Sequence, residues 1–161
     1  MASKKKYLYA RIYFSIREML KGFTIKQYRK LLDAVLDHGK DVMVLGPENV
    51  HPDFGDDTEL SCAWDIVARQ MRGNVRKKTP YFFLYFSLRE EWALLTDEQR
   101  GKLFKTMLDY GEEVIGSNGN YVRPNFDEDE VLRHVWIDVA HQMNPANWRR
   151  YNASWYFVPF W

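Results

Sequence analysis

A chain of 161 residues with 46% hydrophobic and 16% aromatic content is the length of one domain or two very small ones, too apolar for disorder and too short for large multidomain enzyme architectures. Its formal charge of +1, from 23 Lys and Arg against 22 Asp and Glu, argues against a generally basic nucleic-acid coat and against an acidic DNA mimic. One cysteine, Cys62, excludes an internal disulfide or a cysteine zinc site and fits a reducing compartment, the cytoplasm.

The chain opens with Lys4, Lys5 and Lys6 and then Tyr7 to Phe14, which is not a signal peptide: Arg11 interrupts the apolar run and no small-residue cleavage site follows. No stretch approaches the roughly 18 apolar residues that a membrane helix needs. The β-formers of Tyr7 to Phe14 can make a short strand or extend the next helix backwards, and a helical or irregular lead-in is the expectation. Ser15 and Glu18 have the spacing of a capping box, so a short helix should begin there. Thr24 and Gln27 repeat that device before a stripe of Leu31, Leu32, Val35, Leu36, Gly39, Val42 and Met43 at helical period. Gly39 lies on the apolar face, where it weakens the helix but lets another helix approach closely. An acidic loop with Asp56, Asp57 and Glu59 then opens a third helix, complementing its dipole, with the stripe Leu60, Ala63, Trp64, Val67 and Met71.

After the basic junction Arg76, Lys77, Lys78 and then Pro80, the same order returns. Sliding the chain by 72 positions lays Tyr9 to Met71 on Tyr81 to Met143 without a gap, with 24 identities in 63 positions. Ser87 and Glu90 restate the first capping box, Thr96 and Gln99 the second. The second stripe becomes Leu103, Phe104, Met107, Leu108, Gly111, Val114 and Ile115, and the third Leu132, Val135, Trp136, Val139 and Met143. The reading is an all-α protein: a tandem repeat of two three-helix units, residues 1–78 and 79–161, packed as one body about a pseudo-twofold axis, as an isologous dimer of one unit would be. The tail Trp155, Tyr156, Phe157, Val158, Pro159, Phe160, Trp161 is very apolar and is expected to dock on the body or a partner. A docked tail makes the chain a monomer.

No residue pattern indicates catalysis. There is no phosphate-cradling glycine loop, no His-Glu-x-x-His and no Gly-x-Ser-x-Gly elbow. His134 and His141 are seven apart on one helix and read as surface or boundary residues. Asp127 to Glu130 lacks the spacing of a calcium loop and reads as helix-start acidity. Cys62 reads as a small apolar residue, Trp64 and Trp136 as core anchors. The shared pairs Arg17 with Arg89 and Asp37 with Asp109 read as ion pairs or caps between the first two helices. No catalytic residue, cofactor or metal is expected.

Charge is distributed unevenly. Residues 1–78 hold 15 Lys and Arg against 10 Asp and Glu, net +5; residues 79–161 hold 8 against 12, net −4. The positive charge gathers at Lys4 to Lys6 and at Arg69, Arg72, Arg76, Lys77 and Lys78, where helical spacing aligns part of it on one face; the second copy keeps Arg149 and Arg150 there. Such a face suits an anionic partner, although cations at a helix C-terminus are also favoured by the dipole.

The start Phe86, Ser87, Glu90, the run Leu95-Thr96-Asp97-Glu98-Gln99-Arg100-Gly101-Lys102-Leu103-Phe104, then Leu108-Asp109-Tyr110, and the closing Gln142-Met143, Ala146-Asn147, Arg149-Arg150-Tyr151 together resemble an uncharacterised domain of tailed phages and prophages, often found at the N-terminus of replisome-organiser-like proteins. In the first copy Gln70, Met71, Asn74, Arg76 and Lys77 match its closing pattern. Similar proteins commonly continue into a Gly- and Lys-rich tail, where this chain carries aromatics after Tyr151. The resemblance carries no function with it; together with the absence of a catalytic motif, the expectation is a non-catalytic phage or prophage accessory protein in the cytoplasm of a host cell. Two partners follow as expectations: a nucleic acid or nucleoprotein held on the basic face, or a host or defence protein inhibited through the acidic copy or through Trp155, Phe157, Phe160 and Trp161, as an anti-CRISPR-like anti-defence factor would act.

Overall fold

The computed structural model describes residues 7–71, 80–116 and 124–143. The fold is mostly helical, with one small antiparallel sheet. In chain order it comprises strand β1 (Tyr9–Tyr13), a 3-10 turn (Phe14–Arg17), helix α1 (Ile25–Leu45), a 3-10 turn (Pro47–Asn49), helix α2 (Thr58–Gln70), strand β2 (Tyr81–Tyr85), a single helical turn α3 (Leu88–Glu91), a 3-10 turn (Trp92–Leu94), and helices α4 (Asp97–Gly116) and α5 (Glu130–Met143). Among the described residues no helix is long and apolar enough to cross a membrane.

The two lead-ins are strands, which corrects the helical or irregular expectation and, with it, the all-α one. Each lead-in supplies what the other lacks. Tyr9, Ala10, Arg11, Ile12 and Tyr13 pair with Tyr85, Leu84, Phe83, Phe82 and Tyr81, and the even-numbered face, Ala10, Ile12, Phe82 and Leu84, is fully buried. A two-stranded ribbon is marginal alone, and burial of this face against the helices stabilises it at about 1.5–3 kcal/mol per large side chain. Arg11 opposes Phe83, its own counterpart 72 positions on. The whole register therefore maps onto itself when the copies are exchanged, as do the flanking bonds: Phe14 N–H donates to the Pro80 carbonyl (3.1 Å) and Phe86 N–H to the Leu8 carbonyl (3.0 Å).

The chain divides into two compact units, Met1–Lys105 and Thr106–Trp161. The first holds one complete copy and the opening of the second, because β2 is paired to β1. Its core is formed by Ile12, Phe14, Leu20, Leu31, Leu32, Leu60, Met71, Leu84, Leu103 and Phe104. Helix α1 starts at a formed capping box: Thr24 Oγ1 accepts from Gln27 N–H (3.1 Å) and Gln27 Oε1 accepts from Thr24 N–H (2.9 Å). Thr96 and Gln99 repeat it at the start of α4 with the same distances. The earlier box does not form. Ser87 is itself helical (φ −60°, ψ −20°) and makes no side-chain cap bond, and the turn Phe14–Arg17 likewise starts without one. Phe14 N–H is already held by the strand ladder, so the chain passes straight from strand to turn.

Two glycines mark close approaches. At Gly39 a Cβ would run into the Phe86 ring, so what approaches the α1 stripe is the residue after β2 rather than another helix. At Gly101 a Cβ would strike the Ile25 carbonyl. Helix α2 is capped by Asp57, whose Oδ1 accepts from Leu60 N–H (2.9 Å), and Trp64 is buried with its indole N–H on the Val50 carbonyl (3.2 Å).

In the second unit Asp129 Oδ1 accepts from Leu132 N–H (3.0 Å) at the start of α5, the counterpart of the Asp57 cap. Before it, Asn125 Oδ1 accepts from Asp127 N–H (2.8 Å), as Asp53 Oδ1 does from Gly55 N–H (2.8 Å). Asp127 (φ 57°) and Gly55 (φ 65°) both sit in the left-handed region, which a short polar side chain tolerates. Phe126 lies against Trp136 (centroids 6.0 Å), and Leu132, Trp136, Val139, Ala140 and Met143 are buried.

Candidate functional site

With even positions in the core, the odd positions of both strands share the outer face of the ribbon: Tyr9, Arg11 and Tyr13 with Tyr81, Phe83 and Tyr85. The bonds flanking the ribbon involve even positions, so by the alternation of an antiparallel ladder these odd pairs are the non-hydrogen-bonded ones, whose side chains lie closest. The rings make a continuous strip. Tyr9 meets Phe83 at 4.1 Å between centroids and Tyr85 at 5.7 Å; Tyr81 meets Phe83 at 5.4 Å and Tyr13 at 5.3 Å. The Arg11 guanidinium lies 5.2 Å from the Tyr81 ring centre, within cation–π range. Tyr13 and Tyr85 are buried, while Tyr9, Arg11, Tyr81 and Phe83 are half-buried.

The described residues on either side of the basic segment are bonded to β1 and to the turn after it. Helix α2 ends at Met71, whose carbonyl accepts from Arg11 N–H (3.4 Å) on the outer edge of β1, and the chain returns at Pro80, whose carbonyl accepts from Phe14 N–H. Arg69 is exposed in the last turn of α2. Of the other basic candidates, Arg72, Arg76, Lys77, Lys78, Arg149 and Arg150 lie outside the described residues, as do Lys4 to Lys6 and the tail residues Trp155, Phe157, Phe160 and Trp161.

The remaining candidates have structural surroundings. Arg89 pairs with Asp37, joining α3 of the second copy to α1 of the first; the pair crosses between copies instead of bracing one copy. Arg17 Nε donates to the Phe14 carbonyl (3.3 Å). An unforeseen cluster joins α1 to the start of α4: Arg100 donates to both Asp33 oxygens (3.0 and 3.3 Å), to Asp97 (2.6 Å) and to the Leu95 carbonyl (2.8 Å), with Arg29 3.6 Å from Asp33. Burial alone disfavours the Arg100 charge, but hydrogen bonds to Asp33 and Asp97 and their charges outweigh it, holding its pKa above the usual value. His134 is exposed and His141 half-buried. Cys62 is exposed on α2, so it does not pack as the small apolar residue expected. Among the described residues no group of three His, Cys, Asp or Glu side chains is arranged to hold a metal ion.

The aromatic strip was missed from the sequence. Its only signal was the odd-numbered spacing of aromatics within YARIY and YFFLY, obscured because the inward positions are apolar as well. Residues 81–154 match a family described as a family of unknown function (DUF6291), a span that begins at β2. No curated protein and no solved structure matches the chain.

Proposed function

We propose that this is a non-catalytic phage or prophage accessory protein that holds a nucleic acid or nucleoprotein on the basic surface around Arg69, Arg72, Arg76, Lys77 and Lys78, with Arg149 and Arg150 as the second copy's weaker counterpart. The supporting observation is that the residues bracketing the basic segment, Met71 and Pro80, accept from Arg11 N–H of β1 and from Phe14 N–H just after it, with Arg69 exposed on the last turn of α2. Affinity is mostly electrostatic. Phosphate contacts release counterions, and with six or more of them binding weakens by about 10³ or more between 50 and 200 mM salt. The test is binding of labelled DNA and RNA at both salts, to the full chain and to Arg72→Glu/Arg76→Glu. Binding at 50 mM that is lost on charge reversal supports the reading; no binding at 50 mM removes it.

A second reading, a protein-directed inhibitor or adaptor in the host cytoplasm, is favoured by Val131 and Ile137, which stand 50% and 62% exposed on α5 of the acidic copy. Pull-down from nuclease-treated host lysate then retains a protein that Ile137→Lys releases. The self-mapping strand register supports placing the copies about a pseudo-twofold axis between Arg11 and Phe83, an interface satisfied within one chain. Light scattering is accordingly expected to give a monomer.

A further inference from the structure

We propose that the seam between the first copy and the start of the second is a pairing surface that selects an unlike copy. The first copy accepts a unit built like the second and rejects another first copy, and the second copy rejects another second copy. The proposal rests on the pseudo-twofold placement above, not on the nucleic-acid reading. The residues that discriminate are Arg29, Asp33, Arg100, Gly101 and Lys105.

Part of the seam could serve any two copies. The ribbon register maps onto itself when the copies are exchanged. The Phe86 ring over Gly39 and the Arg89–Asp37 pair use residue types that both copies carry: Phe14 and Phe86, Gly39 and Gly111, Arg17 and Arg89, Asp37 and Asp109. Taken alone, these contacts would let two chains pair first copy with first copy and second with second, as an isologous interface does.

The copies differ where α1 meets the start of α4. Ile25, Tyr28, Arg29 and Asp33 have Asp97, Arg100, Gly101 and Lys105 as their counterparts 72 positions on. Arg100 donates to both Asp33 oxygens (3.0 and 3.3 Å), and the Arg29 guanidinium lies 3.8 Å from Asp97. In a pair of second copies Lys105 takes the place of Asp33, so Arg100, whose side chain is only 14% exposed, would meet a cation instead of an acid. Like charges brought together at so sheltered a contact disfavour the wrong partner. In a pair of first copies Arg29 takes the place of Gly101. Even a Cβ at Gly101 would strike the Ile25 carbonyl, so the two helices could not approach as they do, and Asp33 would face Tyr28 in place of Arg100. One like pair is refused by charge and the other by bulk; the unlike pair alone brings the glycine and the matched charges together.

The experiment uses the position of the ribbon that faces its own counterpart. In a Cys62→Ser background, Arg11→Cys or Phe83→Cys alone leaves one thiol per chain, and only a like pair sets two of them opposite each other. Air oxidation, with the two thiol hydrogens passing to oxygen, then records that pair as an interchain disulfide. Full chains are refolded from urea at low and high protein concentration and read by mass spectrometry and non-reducing electrophoresis, with far-UV circular dichroism as the fold control. Both single-thiol chains are expected to refold as monomers with the thiol free. Adding Arg29→Gly/Lys105→Asp removes the bulk and gives Arg100 an acid in a pair of second copies, while Asp33 stays in place. It is expected to raise the disulfide-linked dimer by about 10-fold or more with either reporter. If that chain does not fold, Lys105→Asp alone, read with Phe83→Cys, is expected to raise it as well. Linked dimers formed as readily by the unaltered seam, or no increase in the folded variants, would overturn the selection while the pseudo-twofold placement stands. Failure of the double variant Arg11→Cys/Phe83→Cys to close within one chain overturns both.

Discussion

Arg11 and Phe83 face each other across the β-ribbon although 72 residues separate them, and each is the other's counterpart in the repeat. Opposed residues of such a pair have Cβ atoms within reach of a disulfide. In a Cys62→Ser background, Arg11→Cys/Phe83→Cys is expected to be oxidised by air to an internal bridge, seen as a single-chain mass lower by the two hydrogens lost, with loss of two free thiols. Closing so long a loop should add about 2–4 kcal/mol to stability. A register shifted by one residue would leave the thiols on opposite faces and unbridged.

The close approaches at Gly39 and Gly101 make unlike predictions for the same substitution. Alanine favours a helix by about 1 kcal/mol over glycine, yet at Gly101 the new methyl meets the Ile25 backbone, which cannot turn away. Gly101→Ala should lower stability by about 1–3 kcal/mol net. At Gly39 the obstacle is the Phe86 ring, so Gly39→Ala should be costly alone and partly recovered in Gly39→Ala/Phe86→Leu. Urea denaturation of these three variants and of Phe86→Leu alone checks this; additive effects at Gly39 and Phe86 would contradict it.

The carboxylates around Arg100 should differ in weight. Asp33 is 22% exposed and grips Arg100 with both oxygens, while Asp97 is 68% exposed. Asp33→Asn is expected to cost about 1–3 kcal/mol and Asp97→Asn less than about 1 kcal/mol. Arg100→Lys should not rescue the first contact, because an ammonium cannot make the paired bonds of a guanidinium. Thermal melts of the three single variants decide the ordering.

Asp57 ties the start of α2 to the start of α1. Its carboxylate accepts from Leu60 N–H and from Gln27 Nε2 (3.1 Å), and those bonds, the Leu60 one foremost, hold its pKa below the ordinary carboxylate value. The folded state therefore binds this proton less readily than the unfolded chain. The contribution is fully present above about pH 4, the unfolded value, and fades as pH falls through the lower folded value. Asp57→Asn, which still caps, should melt near the parent temperature at pH 7 and show a shallower decline below pH 4. Parallel melting curves down to pH 2 would count against it.

Much of the helical frame was legible because its signals are local. Thr24 with Gln27 and Thr96 with Gln99 lie three residues apart and bond as their spacing implies, and the stripes from Leu31 to Val42 and from Leu60 to Met71 are buried at helical period. The strands were not legible for the same reason inverted: the partner that makes Tyr9 to Tyr13 a strand lies 72 or so positions away, and aromatics on its outer face erase the polar alternation that marks a half-exposed strand. Ser15 and Ser87 carried a valid capping pattern, but the ladder bonds of Phe14 and Phe86 had already settled how the backbone enters the turn. For the candidate site, the junction's charge could be read directly; that Met71 and Pro80 on either side of it are bonded to Arg11 and to Phe14 could not.

The ribbon also sets a clock. Its first strand emerges from the ribosome long before its second: with Tyr13 made, some 67 residues must follow before Tyr81 exists, and at about 5–20 residues per second that is several seconds. Helices α1 and α2 can form from local contacts in that interval, but β1 must wait with an unsatisfied edge and an apolar face. A neighbouring nascent chain that has already made β2 offers the same register, so two chains on one message can exchange strands and emerge entwined.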